Sequence, residues 1–368
     1  MADPENKRSE GRFVRVKLAD VANASGVHYS TVSRVLRPGS KGRISDDVAE
    51  RVRSVARELG YQPNSVAASL RTQSTRSIGL IVHDMSDPVY PPILSGIEAT
   101  LSPEGFAVLV SNTGYDIDVE IDIVNRMASR LVDGIFLATT RLHDPVVARC
   151  KELGIPLVSV LRQTEEATSS AVVNDCYGGM TDLTNHILGL GFRDIAVILA
   201  PQGLSTARER WLGIRDTLSQ VGLSLPEHRV AHVDRMSAEN GKQAAQRLLA
   251  AAPSRPEVII CVNDLVAVGA IQACRDAGLS VPSDISVSGY NDIPLVDIID
   301  PPLTTVRMNL HDIGKEAGEL MLEQFGAESD APKTLRIAPE LVLRASLRYN
   351  PAGKNRNARP GTLGPYTP

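Results

Sequence analysis

From Ile78 onward the chain alternates short β-branched runs with longer helical patterns, and that alternation constrains the fold more than any other feature. The runs include SIGLIV, FAVLV, DGIFLA, PLVSV, DIAVILA, EVIICV and DISVSGY. Between them fall helical stretches such as 91–101, 117–131, 175–190, 207–221, 238–251 and 265–277. Consecutive parallel strands need a crossover, and a helix supplies it, so the pattern predicts parallel sheets covered on both faces. The stretch is too long for one ordinary doubly wound domain, which points to two similar lobes.

The part before it has a different texture. LADVANAS (18–25) is a short helical pattern ended by Gly26, and VHYSTVSRVL (27–36) follows at once. Wound as a helix, the second stretch puts Val32, Val35 and Leu36 on one side. Tyr29, Ser30, Ser33, Arg34 and Arg37 fall on the other, with no acidic residue among them. That polar face suits base edges and phosphates, although a plain solvated face has the same composition. A third helix is expected from Ser45, a good N-cap, through an apolar stripe of Val48, Val52, Val55, Ala56 and Leu59 to Gly60. Two short helices joined at a glycine, sharing a small core with a third, make a helix-turn-helix. Residues 65–71 after Pro63–Asn64 offer about two helical turns, too short to be ordered alone in water.

Charge separates the two parts. Residues 1–76 carry 14 Lys and Arg against 8 Asp and Glu, and the remainder 25 against 35. A basic head on an acidic body fits a protein whose head meets a polyanion. No apolar run approaches a membrane span, and the first residues, MADPENKRSEGR, lack the apolar middle of a signal peptide, so a cytoplasmic protein is expected. The four cysteines stand far apart, which predicts buried free thiols rather than disulfides or a metal cluster. His228 and His232 in HRVAH read as two ordinary histidines with no nearby partner ligand. The acidic run from Asp116 to Asp122 reads as the solvated start of a helix. No phosphate loop and no GxSxG elbow occur. No cofactor and no catalytic residue is expected.

These motifs, in order, resemble the lactose-repressor (LacI/GalR) family from about Val16 to Arg348. The carriers are LADVANASGVHYSTVSRVL, ELGYQPNSVAASLRT, SIGLIV, DGIFLA, TARERWLGI, VND, VPSDISVSGYNDIPL and PPLTTVR. The resemblance implies an N-terminal all-α helix-turn-helix domain and hinge helix, followed by an α/β two-lobed effector domain like the periplasmic binding proteins. The expected boundaries are 16–62 for the DNA-binding domain, 63–76 for hinge and linker, and 77–348 for the effector domain. Tails at 1–15 and 349–368 are expected to be disordered. Within the body, the first lobe is expected to take about 77–173 and 308–335, and the second about 174–307 and 336–348.

The resemblance also implies a homodimer on a pseudo-palindromic DNA operator, with a small-molecule effector between the lobes. Tyr29, Ser30 and Arg34 then reach base edges, and Thr31 and Ser45 touch phosphate. Leu70 wedges into the minor groove, with Arg71 following. Leu18, Ser33 and Asn64 complete the DNA-facing set. The effector set is Val89, Tyr90, Arg210, Met236, Asn263, Asn291 and Met308. Arg210 falls near a helix start, and the two asparagines follow strand ends, where open α/β sheets bind ligands.

The chain departs from the family pattern in places. Lys17 and His28 replace the usual Ser or Thr N-caps, which predicts caps weaker by about 1 kcal/mol each. Arg37 replaces a usual Asn, and the loop after it is longer. Met236 and Met308 stand where a ring and a glutamine are common, which leaves the effector open between a sugar and a less polar metabolite. Two other classes compete. A transporter's solute-binding protein predicts an export signal and no basic head. An α/β enzyme acting on a sugar needs an acid–base pair or a nucleophile.

Overall fold

The computed structural model describes residues 16–36, 44–61, 74–251, 254–326 and 331–350. The chain divides into two compact units between Thr75 and Arg76.

The first unit contains α1 (Leu18–Ser25), α2 (Tyr29–Val35) and α3 (Asp46–Glu58). Gly26 ends α1 with φ +66°, and the Val27 N–H closes back onto the Ala22 carbonyl at 3.2 Å. Only glycine takes that backbone routinely, which is why the turn falls there. Val21, Val32 and Val52, one from each helix, are fully buried together. Gly60 stops α3 with φ +65°. Ser45 occupies the N-cap of α3 but makes no side-chain cap bond, so Asp46 and Asp47 carry the helix start through its dipole.

The second unit holds two parallel sheets. In order along the chain the elements are β1 (Ser77–Val82), α4 (Tyr90–Leu101), β2 (Ala107–Asn112), α5 (Ile117–Ser129), β3 (Gly134–Leu137), α6 (Pro145–Glu152), β4 (Leu157–Leu161) and β5 (Ser170–Asn174). Next come α7 (Cys176–Gly189), β6 (Ile195–Leu199), α8 (Ser205–Gln220), β7 (Val230–His232), α9 (Ala238–Ala250), β8 (Val258–Cys261), α10 (Asp264–Asp276) and β9 (Ser286–Ser288). The chain ends with β10 (Thr305–Arg307), α11 (Leu310–Gly326), β11 (Thr334–Ile337) and β12 (Glu340–Val342).

The first sheet runs β11-β5-β4-β3-β1-β2 and the second β7-β6-β8-β9, every pair parallel. Strands β1, β3, β4, β6 and β8 are buried almost throughout, as sheets covered on both faces require. Side-chain alternation sorts the first sheet's faces. Ile81, Ile135 and Leu137 pack on α5 and α6, while Leu80, Val82 and Phe136 face α4 and α11.

Asn174 pairs with Ile337 in the β5–β11 ladder, so β5 and β11 run to those residues. The antiparallel pair β10–β12 lies at the crossing between lobes. All four cysteines are buried and free. Among the described residues no helix is long and apolar enough to cross a membrane, and no cluster of metal-ligating side chains occurs.

One further reading changes in part. Asp116 does start α5, its carboxylate accepting from the N–H groups of Asp118 and Val119. Glu120, expected on a solvated face, is fully buried. Thr139 donates to one of its oxygens and Arg141 pairs with the other at 3.2 Å. Burial pushes its pKa up, against the pull of those two partners.

Candidate functional sites: a DNA-reading helix and an interlobe cavity

In the first unit α2 buries Val32 and Val35 and turns its other face outward. Tyr29 is 59% exposed and Arg34 is exposed, with Ser30, Thr31 and Ser33 half-buried beside them. Leu18 packs against the three-helix core, and Ser45 is exposed. The helix is therefore held from behind, and its exposed phenol and guanidinium are presented together. Asn64, Leu70, Arg71 and Arg37 lie outside the described residues.

The weak caps expected at Lys17 and His28 are compensated. His28 Nδ1 accepts the Ser30 N–H at 3.3 Å and lies 2.8 Å from Ser30 Oγ, so an imidazole performs the capping a serine would. Its ring also lies against Tyr29, with centroids 4.8 Å apart. At α1 the Lys17 N–H donates to Asp20 Oδ2 at 2.7 Å, which is the return half of a capping box.

In the second unit the sequence-predicted effector residues fall in three places. Val89 and Tyr90 are buried at the start of α4; the Val89 N–H donates to Asp87 Oδ1, and burial raises the Tyr90 pKa. Arg210, Asn291 and Met308 come together. Arg210 Nη1 donates to the Val262 carbonyl at 2.6 Å, and Nη2 donates to Asn291 Oδ1 at 3.1 Å and reaches Met308 Sδ at 3.7 Å. Its guanidinium stacks on Tyr290 at 3.8 Å, and its Nε is buried with no hydrogen-bond partner. Asn263 is buried beside this cluster's carbonyl and caps α10, its Oδ1 accepting the Val266 N–H at 2.9 Å. Met236 stands apart, on the wall of a cavity.

That cavity, about 350 Å³, lies where the carboxyl ends of both sheets meet. His83 follows β1, Tyr115 follows β2, Arg141 follows β3 and Arg162 follows β4; from the second lobe come 201–204 after β6 and Asp234, Arg235 and Met236 after β7. In both sheets the order reverses at the first strand of the lobe, the crevice where open α/β folds bind ligands. His83 stacks on Tyr115 with centroids 4.4 Å apart, and Arg235 of the other lobe lies over the same ring at 5.1 Å. Arg162 Nη1 donates to His83 Nε2 at 3.0 Å. Burial first, then Arg162 and Arg141, holds the His83 pKa down to about 3, so the ring is neutral. Sequence reasoning missed His83, Tyr115, Arg141, Arg162 and Arg235. The available signal was position: His83 and Arg162 directly follow the buried runs SIGLIV and PLVSVL.

The head and the body each match a known family. Residues 17–64 match the model of bacterial regulatory proteins, lacI family, and residues 184–347 match that of the periplasmic binding protein-like domain. The HTH-type transcriptional regulator DegA of Bacillus subtilis is 32% identical over 337 residues, covering 90% of this chain and 98% of its own. The chain belongs to the lacI family. It is a transcriptional regulator with a helix-turn-helix DNA-binding domain and a two-lobed effector-binding domain. The ribose operon repressor of Haemophilus influenzae is 31% identical over the same shares of both chains. Among solved structures, the lac repressor dimer bound to operator and the anti-inducer ONPF superposes with a TM-score of 0.81 at 25% identity, covering 91% of this chain and 99% of its own. A complex of the regulator CelR with cellobiose gives 0.69 at 29% identity, covering 90% and 100%.

Proposed function

We propose that the chain is a cytoplasmic, non-enzymatic repressor that binds a pseudo-palindromic operator as a homodimer and responds to a small molecule in the interlobe cavity. The observation that carries the DNA half is α2: Tyr29 and Arg34 stand exposed on a helix whose opposite face is locked into a three-helix core. In this reading Tyr29, Ser30 and Arg34 meet base edges in the major groove, Thr31 and Ser45 meet phosphate, and Leu70 and Arg71 enter the minor groove from the hinge. Arg34 is the residue best suited to discriminate, since a guanidinium bonds guanine O6 and N7 together. The effector half rests on a cavity with walls from both lobes, so that a ligand's contacts depend on how the lobes close.

The test is selection of bound duplexes from a random pool, followed by anisotropy titrations at one salt concentration. A two-half-site sequence should emerge. Arg34→Ala should relax preference at one base pair of each half-site, at a cost of about 1–3 kcal/mol. Equal loss on every sequence would reduce Arg34 to a phosphate contact, and failure to enrich any sequence would overturn the proposal.

A further inference from the structure

Among the described residues, one cation of the cavity wall has no ion-pair partner. Arg162 is 6% exposed, and among the described residues its one hydrogen bond goes to His83, an uncharged ring. Because His83 Nε2 accepts, the ring proton sits on Nδ1, which faces Thr113 Oγ1 at 3.3 Å. The imidazole is thus fixed as a neutral acceptor and gives Arg162 no opposite charge. Asp87 feels the field of Arg162, but one of its oxygens is spent on the Val89 N–H, and burial raises its pKa. Among the described residues no carboxylate lies within ion-pair distance of Arg162.

The remaining charges of the wall lean the same way. Arg235 lies over the Tyr115 ring. Arg141 is committed to Glu120 at 3.2 Å and to Asp144 at 4.0 Å. Asp234 is the one carboxylate among the lining residues. A largely buried guanidinium without an ion pair is unfavourable unless something else supplies the negative charge. Its planar fork matches a carboxylate or a phosphate monoester, to which it can donate two bonds. The cavity's 350 Å³ lies at the small end of the roughly 300–1,000 Å³ usual for ligand sites, which suits a compact molecule.

We infer that the effector is a small anion, a hydroxylated molecule bearing a carboxylate or a phosphate monoester, whose charged group is gripped by Arg162 with Arg235 closing from the opposite lobe. The inference rests on the cavity being the effector site. It differs from the neutral sugar or less polar metabolite expected from the sequence: Met308 is buried against Arg210, away from this wall, and of the two methionines only Met236 lines the cavity.

The experiment uses the full chain in a phosphate-free, low-salt buffer. Two anions, D-gluconate and D-ribose 5-phosphate, are titrated calorimetrically beside their neutral counterparts, D-glucose and D-ribose. At least one anion should bind about tenfold or more tightly than its counterpart. The arm that responds separates carboxylate from phosphate. Arg162→Met should abolish that preference without lowering the melting temperature of the ligand-free protein; Arg162→Gln, which keeps a donor for His83, makes the same comparison should the first variant not fold. Anion binding untouched by either variant, or neutral sugars binding as well as the anions, overturns the inference. A Met236→Trp reporter separates the two failures. Quenching by a neutral sugar alone sinks the anion and leaves the cavity as the effector site, whereas no quenching by any of the four sinks both.

Discussion

Asp264 opens α10 with both oxygens occupied: Thr305 Oγ1 donates to Oδ1 at 2.5 Å and the Ile293 N–H to Oδ2 at 2.9 Å. Burial outweighs these bonds and pushes its pKa up to about 6. In the unfolded chain the same group titrates near 3.9. Between the two values the folded protein holds a proton the unfolded chain has released, so this group's contribution to stability falls as pH rises through that window. His83 works in the opposite sense. Its pKa is depressed, so the unfolded chain takes up a proton below about 6.5 that the folded chain refuses, and stability is lost as pH falls. The two effects overlap in a simple pH profile, and a single substitution separates them. Asp264→Asn keeps an acceptor for Ile293 and a polar group for Thr305 but cannot ionise. Its stability relative to the parent, from urea unfolding, should rise by about 2 kcal/mol between pH 4.5 and pH 7.5. Parallel profiles would mean that Asp264 is ionised throughout.

At the scale of elements, the second unit is built from helix pairs that meet backbone to backbone. A Cβ on Gly269 of α10 would run into the Ala238 carbonyl oxygen, and one on Gly241 of α9 into that of Val266. Gly96 of α4 and Gly314 of α11 meet the carbonyls of His311 and Ile93 in the same way. Gly189, the last residue of α7, has open space around it and a negative φ. Gly269→Ala should therefore lose about 2 kcal/mol or more despite its better helix propensity, because the obstacle is backbone rather than a movable side chain. Gly189→Ala should gain up to about 0.5–1 kcal/mol, and chemical denaturation reads both. A sequence pattern makes these glycines look alike, since periodicity reports which face is apolar and not how closely another backbone approaches it. The same limit explains what else was legible. Seven β-branched runs gave seven strands: six are buried strands, which must be apolar throughout, and the seventh, β2, is an edge strand that is largely exposed. SAVVN is hidden inside a polar stretch, and β10 and β12 are too short to show a period. Of the sites, the face of α2 could be read from helical spacing alone. The cavity could not, because Arg162 and His83 are 79 residues apart and meet only when two strands are neighbours of β3 in one sheet.

At the scale of the whole effector domain, the cavity and the crossing segments are parts of one mechanical unit. Tyr290 donates its hydroxyl to Asn174 Oδ1 at 2.8 Å, while Asn174 Nδ2 and the Asp175 N–H both donate to the Ile337 carbonyl. Arg210 stacks on Tyr290 from the second lobe and reaches Asn291, whose backbone bridges to Arg307 of β10. A change in lobe closure must therefore pass through a hydrogen-bonded strap rather than a slack linker. A ligand touching both walls binds one degree of closure better than another, and that difference is all it can contribute to a shift in DNA affinity. Coupling of this kind is usually about 5- to 150-fold, and it must be reciprocal. The anion that binds the cavity should alter operator affinity by some factor in that range, measured by anisotropy. Operator in excess should alter that anion's affinity by the same factor and in the same direction, measured by calorimetry. Tyr290→Phe, which keeps the ring under Arg210 but removes the bond to Asn174, should change both factors together. A ligand effect on DNA binding with no matching effect of DNA on the ligand would show that the cavity and α2 do not report on one shared equilibrium.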